Sequence, residues 1–193
     1  WQTFAQNLAQ LYNLPVQPIN HIHGHIFSLY CQRNIADITL PAITLSASWW
    51  HNDLFVFTKQ NWQFSIQKIG QTIDDAVGEC FDKVARMLWW PYPGWPWISE
   101  LAKKWKYNKD LWIKATYLDK LWFDWSFSWM KSQVYYLLKN NTNINKADIA
   151  YTFQEEAVSV LAKKAIRAGF KYNVQSILVA GGVSAKISWI IAQ

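Results

Sequence analysis

The stretch from Gly70 to Pro96, GQTIDDAVGECFDKVARMLWWPYPGWP, constrains the fold more than any other part of the chain. Its first half places Ile73, Ala76, Val77, Cys80, Phe81, Val84, Ala85 and Leu88 at helical spacing, which predicts a helix with one buried face. Asp74 and Asp75 stand where the start of such a helix favours negative charge, and Glu79 and Asp82 fall on turns expected to face glycine-rich loops. The second half carries Pro91, Pro93 and Pro96, each of which fixes φ and removes a donor. It is therefore expected to be neither helix nor strand but a stiff, shaped loop. An inward carboxylate on a helix, followed by such a loop, suits a grip on sugar hydroxyls. A solvated acidic edge and a plain surface turn satisfy the same residues.

Length allows one or two domains with a real core. No apolar run approaches the roughly 18 residues of a membrane span. The first residues, WQTFAQNLAQLYNLP, are not signal-peptide-like; they predict an amphipathic helix with Phe4, Leu8, Leu11 and Tyr12 on one side. The chain begins without methionine and reads as an internal piece of a longer protein. Cys31 and Cys80 have neither metal nor redox spacing, so reduced thiols in the cytoplasm are expected. A net charge of +6, part of it at Lys103, Lys104, Lys106, Lys109, Lys114 and Lys120, favours a polyanionic partner, although a solvated basic face is the commoner meaning of such a run unless another feature points to nucleic acid.

Asn20-His21-Ile22-His23-Gly24-His25 offers two geometries. On a helix His21 and His25 share a face, as a metal pair requires; on a strand His21, His23 and His25 do. Polar surface or a satisfied buried network is the alternative to metal binding. From Ile38 to Gly70 the texture is β: a strand through ITLPAITLSAS, then two alternating runs, NDLFVFTK and QFSIQKIG, on either side of Asn61-Trp62. Ser46 to Trp50 ends the first strand, where successive backbone N–H groups can cradle phosphate. Helices are expected over Ile98–Trp105, over Asp124–Asn140 with Ser126 or Ser128 as cap, and over Ala147–Ala168, stopped by Gly169. Lys106 to Leu121 reads as an irregular basic connection. Ser176–Ala180 reads as a buried strand, and Gly181-Gly182-Val183-Ser184-Ala185 as a turn that opens a helix and suits adenosine or phosphate.

Tryptophan and glycine are out of proportion. The chain has 14 Trp and 7 Gly, whereas glycine is usually about 7% of a globular chain. At Asn61-Trp62, where two strand-like runs meet, Asn-Gly would make a type I′ turn. Tryptophan at positive φ is sterically penalised. The expectation is a gene that uses UGA for glycine.

The central stretch resembles the TsaD family, the tRNA adenosine threonylcarbamoyltransferases once labelled O-sialoglycoprotein endopeptidases, whose pattern there is GE(S/T)xDDAxGExFDKxA followed by LGLxYPGGP. Asn20–His25, Asp124–Val134 (DWSFSWMKSQV) and Ile177–Ala185 (ILVAGGVSA) follow in the family's order, so the resemblance covers the whole chain. Trp49 and Trp50 stand at the family's Gly-Gly of SGGH, Trp95 at the second glycine of PGG and Trp129 at another glycine. Trp1, Trp49, Trp50, Trp62, Trp89, Trp95, Trp105, Trp129 and Trp189 are thus the expected recoded positions, with Trp97 and Trp112 genuine.

The resemblance implies a partial α/β chain of the actin-like ATPase (Hsp70/sugar-kinase) fold, two lobes around a cleft. Residues 1–40 would end the first lobe and 41–193 would make most of the second. It implies transfer of threonylcarbamoyl from threonylcarbamoyl-AMP to the exocyclic amine of an adenosine in tRNAs reading ANN codons, with TsaB and TsaE as partner subunits and no membrane. One divalent metal, iron or zinc, is implied at His21 and His25, with a third ligand beyond Gln193; His23 stands where the family usually has Glu. Ser46, Ala47, Ser48, Trp49 and Trp50, with His51 beside them, would line the phosphate and carbamoyl pocket. Asp82 and Trp95 would hold ribose and base, and Lys186, where the family has Asn, would make the last nucleotide contact. A metallo-endopeptidase or a non-catalytic TsaB-like scaffold are the alternatives. HIHGH lacks the Glu base of H-E-x-x-H, and the histidine pair counts against the scaffold.

Overall fold

The structure is a computed structural model that describes residues 2–31, 39–61, 63–105, 111–116, 123–141 and 143–182. Trp1, Trp62, Lys106, Lys109, Lys120, Lys186 and Trp189 lie outside the described residues.

A mixed four-stranded sheet carries the chain. Strands β1 (Ala42–Ala47), β2 (Asn52–Gln60), β3 (Gln63–Gln71) and β4 (Ser176–Ala180) lie in the order β3-β2-β1-β4. β1 runs antiparallel to β2 and parallel to β4, so the class is α/β. β2 and β3 form the expected hairpin: Gln60 pairs with Gln63, and Asn61 takes φ +46°. Every residue of β1 is buried, because both faces of that central strand are covered. Ile43, Leu45, Ala47, Leu54 and Val56 face the main core, while Phe57 on the opposite face meets Phe27 and Phe64. This period of two decides which side each residue serves. β4 is only half-buried up to Ala180, unlike the buried strand expected; among the described residues only β1 pairs with it.

The helices are α1 (Gln2–Tyr12), α2 (His21–Phe27), α3 (Val77–Met87), α4 (Gly94–Ala102), α5 (Ser128–Asn140) and α6 (Lys146–Lys171). α1 forms as its stripe predicts but buries no residue. α6 is the pillar of the core: Ile149, Phe153, Ala157, Val160, Leu161 and Ala165 are buried along it, and Phe153 meets Phe81 of α3 edge to face at 5.0 Å. Between α4 and α6 a buried hydrogen bond runs from Ser99 Oγ to Gln154 Oε1, 2.8 Å. Cys80 is buried, and burial pushes its thiol well above the ordinary range, so it behaves as a packed apolar group.

Four expectations are corrected. α3 begins at Val77, and Ile73 is 52% exposed, so Asp74 and Asp75 precede the helix rather than opening it. Asp74 instead serves α5, accepting hydrogen bonds from Ser126 Oγ, from Phe127 N at 2.9 Å and from Ser128 N at 3.3 Å. Neither Ser126 nor Ser128 caps that helix, whose N-cap is Phe127 with no side-chain bond. The proline-rich segment is loop only to Pro93; Gly94, Trp95 and Pro96 form the first turn of α4, where proline loses no intrahelical bond. Gly169 does not stop α6, which runs on to Lys171 and yields at Asn173, φ +47°. A Cβ on Gly169 would sit 3.4 Å from Val174 and 3.5 Å from Ile177, ordinary contact distances.

Asp74 is therefore a remote cap, and Asp74→Ala is expected to cost about 1–2 kcal/mol in denaturant unfolding of the full-length protein. Burial pushes its carboxyl up, but the bonds from Ser126, Phe127 and Ser128 outweigh this and hold it below the ordinary value. A depressed carboxyl stabilises the fold above its unfolded pKa and loses that contribution as pH falls through the folded value. The parent should thus show a loss of stability below about pH 4 that Asp74→Ala lacks.

Candidate functional site

The site begins at the turn between β1 and β2. Ser48 N donates to His51 O at 3.0 Å, Ser48 Oγ donates to the same carbonyl at 3.0 Å, and His51 N donates back to Ser48 Oγ at 3.1 Å. Asn52 locks the turn from outside: its Nδ2 donates to Ser48 O at 3.3 Å and His51 O at 2.8 Å, while its Oδ1 accepts from Val77 N at the start of α3. Two glycines let neighbouring backbone close on it. A Cβ on Gly78 would lie 2.8 Å from Trp49 Cα, and a Cβ on Gly181, φ +99°, would lie 2.3 Å from Ala47 O and 3.1 Å from Ser48 N.

The histidines arrive from the other direction. Asn20 caps α2 by accepting from Ile22 N at 2.9 Å and His23 N at 3.4 Å. The helix settles the open choice of geometry: His21 and His25 share a face with Nε2 to Nε2 3.1 Å, and His23 projects elsewhere. His51 stands beside them, its ring centroid 6.2 Å from that of His21. Burial, then the neighbouring His21 and His51, hold the His25 imidazole below its ordinary pKa and so favour the neutral form. Two nitrogens about 2.0–2.1 Å from one ion lie about 3 Å apart, so the spacing of this pair fits a divalent metal. Among the described residues no set of three His, Cys, Asp or Glu side chains converges on one point.

Of the residues singled out from sequence, Ser46, Ala47, Ser48, Trp49, His51, Gly181, His21 and His25 thus come together. Ser46 is fully buried, and its Oγ has no partner among the described residues. The proline loop reaches the same turn through Tyr92, whose ring meets Trp49 edge to face at 5.2 Å. Trp50 is largely exposed, and Trp95 packs partly against the core. Asp82 Oδ1 accepts from Gly94 N at 2.5 Å, tying α3 to the start of α4; burial raises its carboxyl and the Gly94 N–H pulls it back only in part. Lys186 lies outside the described residues. Asn52 and Gly78 escaped the sequence reading. An asparagine following a tight turn was the one available signal. A separate groove of about 760 Å³, lined by Lys83, Arg86, Trp89, Lys131, Tyr135 and Tyr136, contains none of the predicted residues. Its two lysines both pair with Asp75.

Known proteins with this arrangement of motifs can now be set beside it. The family model for TsaD, tRNA N6-adenosine threonylcarbamoyltransferase, matches residues 2–188. The chain belongs to the TsaD family. A Staphylococcus haemolyticus protein named tRNA N6-adenosine threonylcarbamoyltransferase is 42% identical over 186 residues, covering 94% of this chain and 52% of its own length. Proteins of the same name from Bacillus subtilis and Syntrophomonas wolfei are each 39% identical, covering 94% and 95% of this chain and 51% and 53% of their own. The TsaD chain therefore spans about half the length of the curated relatives it matches. No helix among the described residues is long and apolar enough to cross a membrane.

His21→Ala and His25→Ala are each expected to weaken zinc or ferrous-ion binding at least ten-fold in equilibrium dialysis of the full-length protein, while His23→Ala leaves it unchanged. Because a histidine donor must be neutral to bind, and burial with the neighbouring His21 and His51 holds the His25 imidazole below its ordinary pKa, binding should weaken as pH falls and the imidazoles take up protons.

Proposed function

We propose that this chain supplies the nucleotide- and metal-holding part of a tRNA N6-adenosine threonylcarbamoyltransferase. The activated substrate is threonylcarbamoyl-AMP, and the acceptor is the exocyclic amine of the adenosine adjoining the anticodon. The observation that carries this reading is the pair of imidazoles 3.1 Å apart beside a hydrogen-bonded turn closed by Gly181. In this reading the fold is actin-like and two-lobed, residues 1–40 ending one lobe and 41–193 forming most of the other.

The roles follow from the groups each residue exposes. Within the turn Ser48 N is taken by His51 O, so the N–H groups of Trp49 and Trp50 would serve the phosphate side, and the buried Ser46 hydroxyl, unpartnered among the described residues, would offer another donor. Gly181 lets its backbone close on Ala47, where a side chain would collide, and the glycine turn at 181 and 182 would carry the adenosine. Asp82 has one oxygen engaged by Gly94; the other is open to a ribose hydroxyl, with Trp95 alongside and Lys186 completing the nucleotide contacts. His21 and His25 would hold one divalent ion, iron or zinc, which when bound supplies Lewis-acid polarisation of a carbonyl. The two imidazoles orient that centre, and α2, fixed by its Asn20 cap, keeps them rigid. tRNA would approach over basic surface through its phosphates, Lys103, Lys104 and Lys114 included, with TsaB and TsaE as companion subunits.

Full-length protein, supplied with threonylcarbamoyl-AMP, tRNA and the two companion subunits in the cytoplasmic setting expected for it, should form threonylcarbamoyl-adenosine in tRNA. His25→Ala should slow this on the order of 10²-fold. Unmodified tRNA together with cleavage of a peptide substrate would reverse the assignment in favour of a metallo-endopeptidase. Companion subunits that modify tRNA equally well with His21→Ala, His25→Ala protein would reduce this chain to a scaffold.

A further inference from the structure

We infer that residues 62 and 89 are glycine in the protein as the cell makes it, the gene spelling both with UGA read as glycine. The inference stands apart from the proposed function and rests on backbone geometry.

Trp89 follows α3 directly and takes φ +68°. Its N–H donates to Arg86 O at 3.0 Å, and the next N–H, of Trp90, donates to Ala85 O at 2.9 Å. Those two bonds define a Schellman helix ending, whose left-handed residue is glycine by preference because any Cβ is penalised there. The other non-glycine residues at positive φ among those described are Asn13, Asn61 and Asn173, all of the one type whose short polar side chain tolerates that conformation. Tryptophan is the departure. Packing does not offset the strain, since Trp89 is 86% exposed.

The second position is independent of the first. Pairing of Gln60 with Gln63 leaves a two-residue connection that starts at Asn61 with φ +46°. A left-handed asparagine opening a two-residue hairpin loop is the first half of an Asn-Gly type I′ turn, and the residue written next is Trp62. The 14 tryptophans against 7 glycines are what a partial exchange of one for the other leaves behind.

Not every tryptophan is involved. Trp125 is fully buried in the core and Trp90 stacks on Trp97 at 5.1 Å. Trp105, one of the positions expected to be recoded, lies flat on Tyr151 at 3.6 Å, and its φ is not positive. At 49, 50, 95 and 129 φ is not positive, so the backbone makes no comparable demand. One consequence is structural: glycine at 89 removes one of the side chains that line the groove between α3 and α5.

Mass spectrometry of the protein isolated from its source cells, cut after Lys and Arg, tests this on two fragments, Gln60–Lys68 and Met87–Lys103. The expected result is glycine at 62 and 89, with tryptophan retained at 90 and 97 within the second fragment. Tryptophan at either 62 or 89 overturns the inference. A parallel measurement uses the full-length protein made with tryptophan: Trp89→Gly should raise Tm by about 2–4 °C, and Trp97→Gly should lower it. A fall in Tm for Trp89→Gly would count against the inference as well.

Discussion

The β1–β2 turn is tolerable only because three separate pieces of chain agree to leave it room. Its own hydrogen bonds between Ser48 and His51 close it, but closure alone would leave a free-standing loop. What makes it a site is close approach: the start of α3 comes so near that a Cβ on Gly78 would lie 2.8 Å from Trp49 Cα, and a Cβ on Gly181 would lie 2.3 Å from Ala47 O. Asn52 then converts proximity into a fixed distance by bonding the turn on one side and the Val77 N–H on the other. Any side chain at Gly78 or Gly181 would have to push main chain aside, which a packed interior resists.

The acidic residues of the central stretch do something different from what their local sequence suggests. Asp74, Asp75 and Asp82 read as the charged start and edge of one helix. Each in fact reaches to another element: Asp74 to the start of α5, Asp75 to Lys83 at 2.8 Å and to Lys131, and Asp82 to Gly94 at the start of α4. Two of the three therefore act at helix N-termini, where orphan N–H groups and the dipole favour a carboxylate. Their opposite pKa directions follow from donor number. Asp74 receives several hydrogen bonds that overcome burial, whereas Asp82 receives one that does not.

This explains which parts of the molecule were legible in the sequence. Patterns whose cause is local were: the β2–β3 hairpin from its alternation, α3 from its apolar stripe, α6 from Ile149 through Ala165, and the pairing of His21 with His25 once a helix is granted. Features whose cause lies 50 residues away were not, and the Asp74 cap on α5 is the clear instance. Gly169 misled for the complementary reason. A glycine late in a helix resembles a stop, yet here the long helix continues because its buried face outweighs one residue's propensity. Proline misled too: Pro96 breaks a helix interior but is harmless in a first turn.

The two halves of the candidate site also divide by charge type, and this bears on how a single cleft could hold both a cation and a phosphate. Burial and the imidazoles of His21 and His51 hold the His25 imidazole below its ordinary pKa, which favours its neutral, lone-pair-bearing form. The β1–β2 turn and the glycine turn at 181 present main-chain atoms, whose donors would serve an anion in the proposed reading without a titrating side chain. A positively charged histidine cluster would repel the ion and attract the phosphate to the wrong side. In the proposed reading a neutral His25 would keep the two ligands apart, and geometry is the cause: α2 lies next to the turn closely enough that His21 and His51 add to the cost of protonating His25.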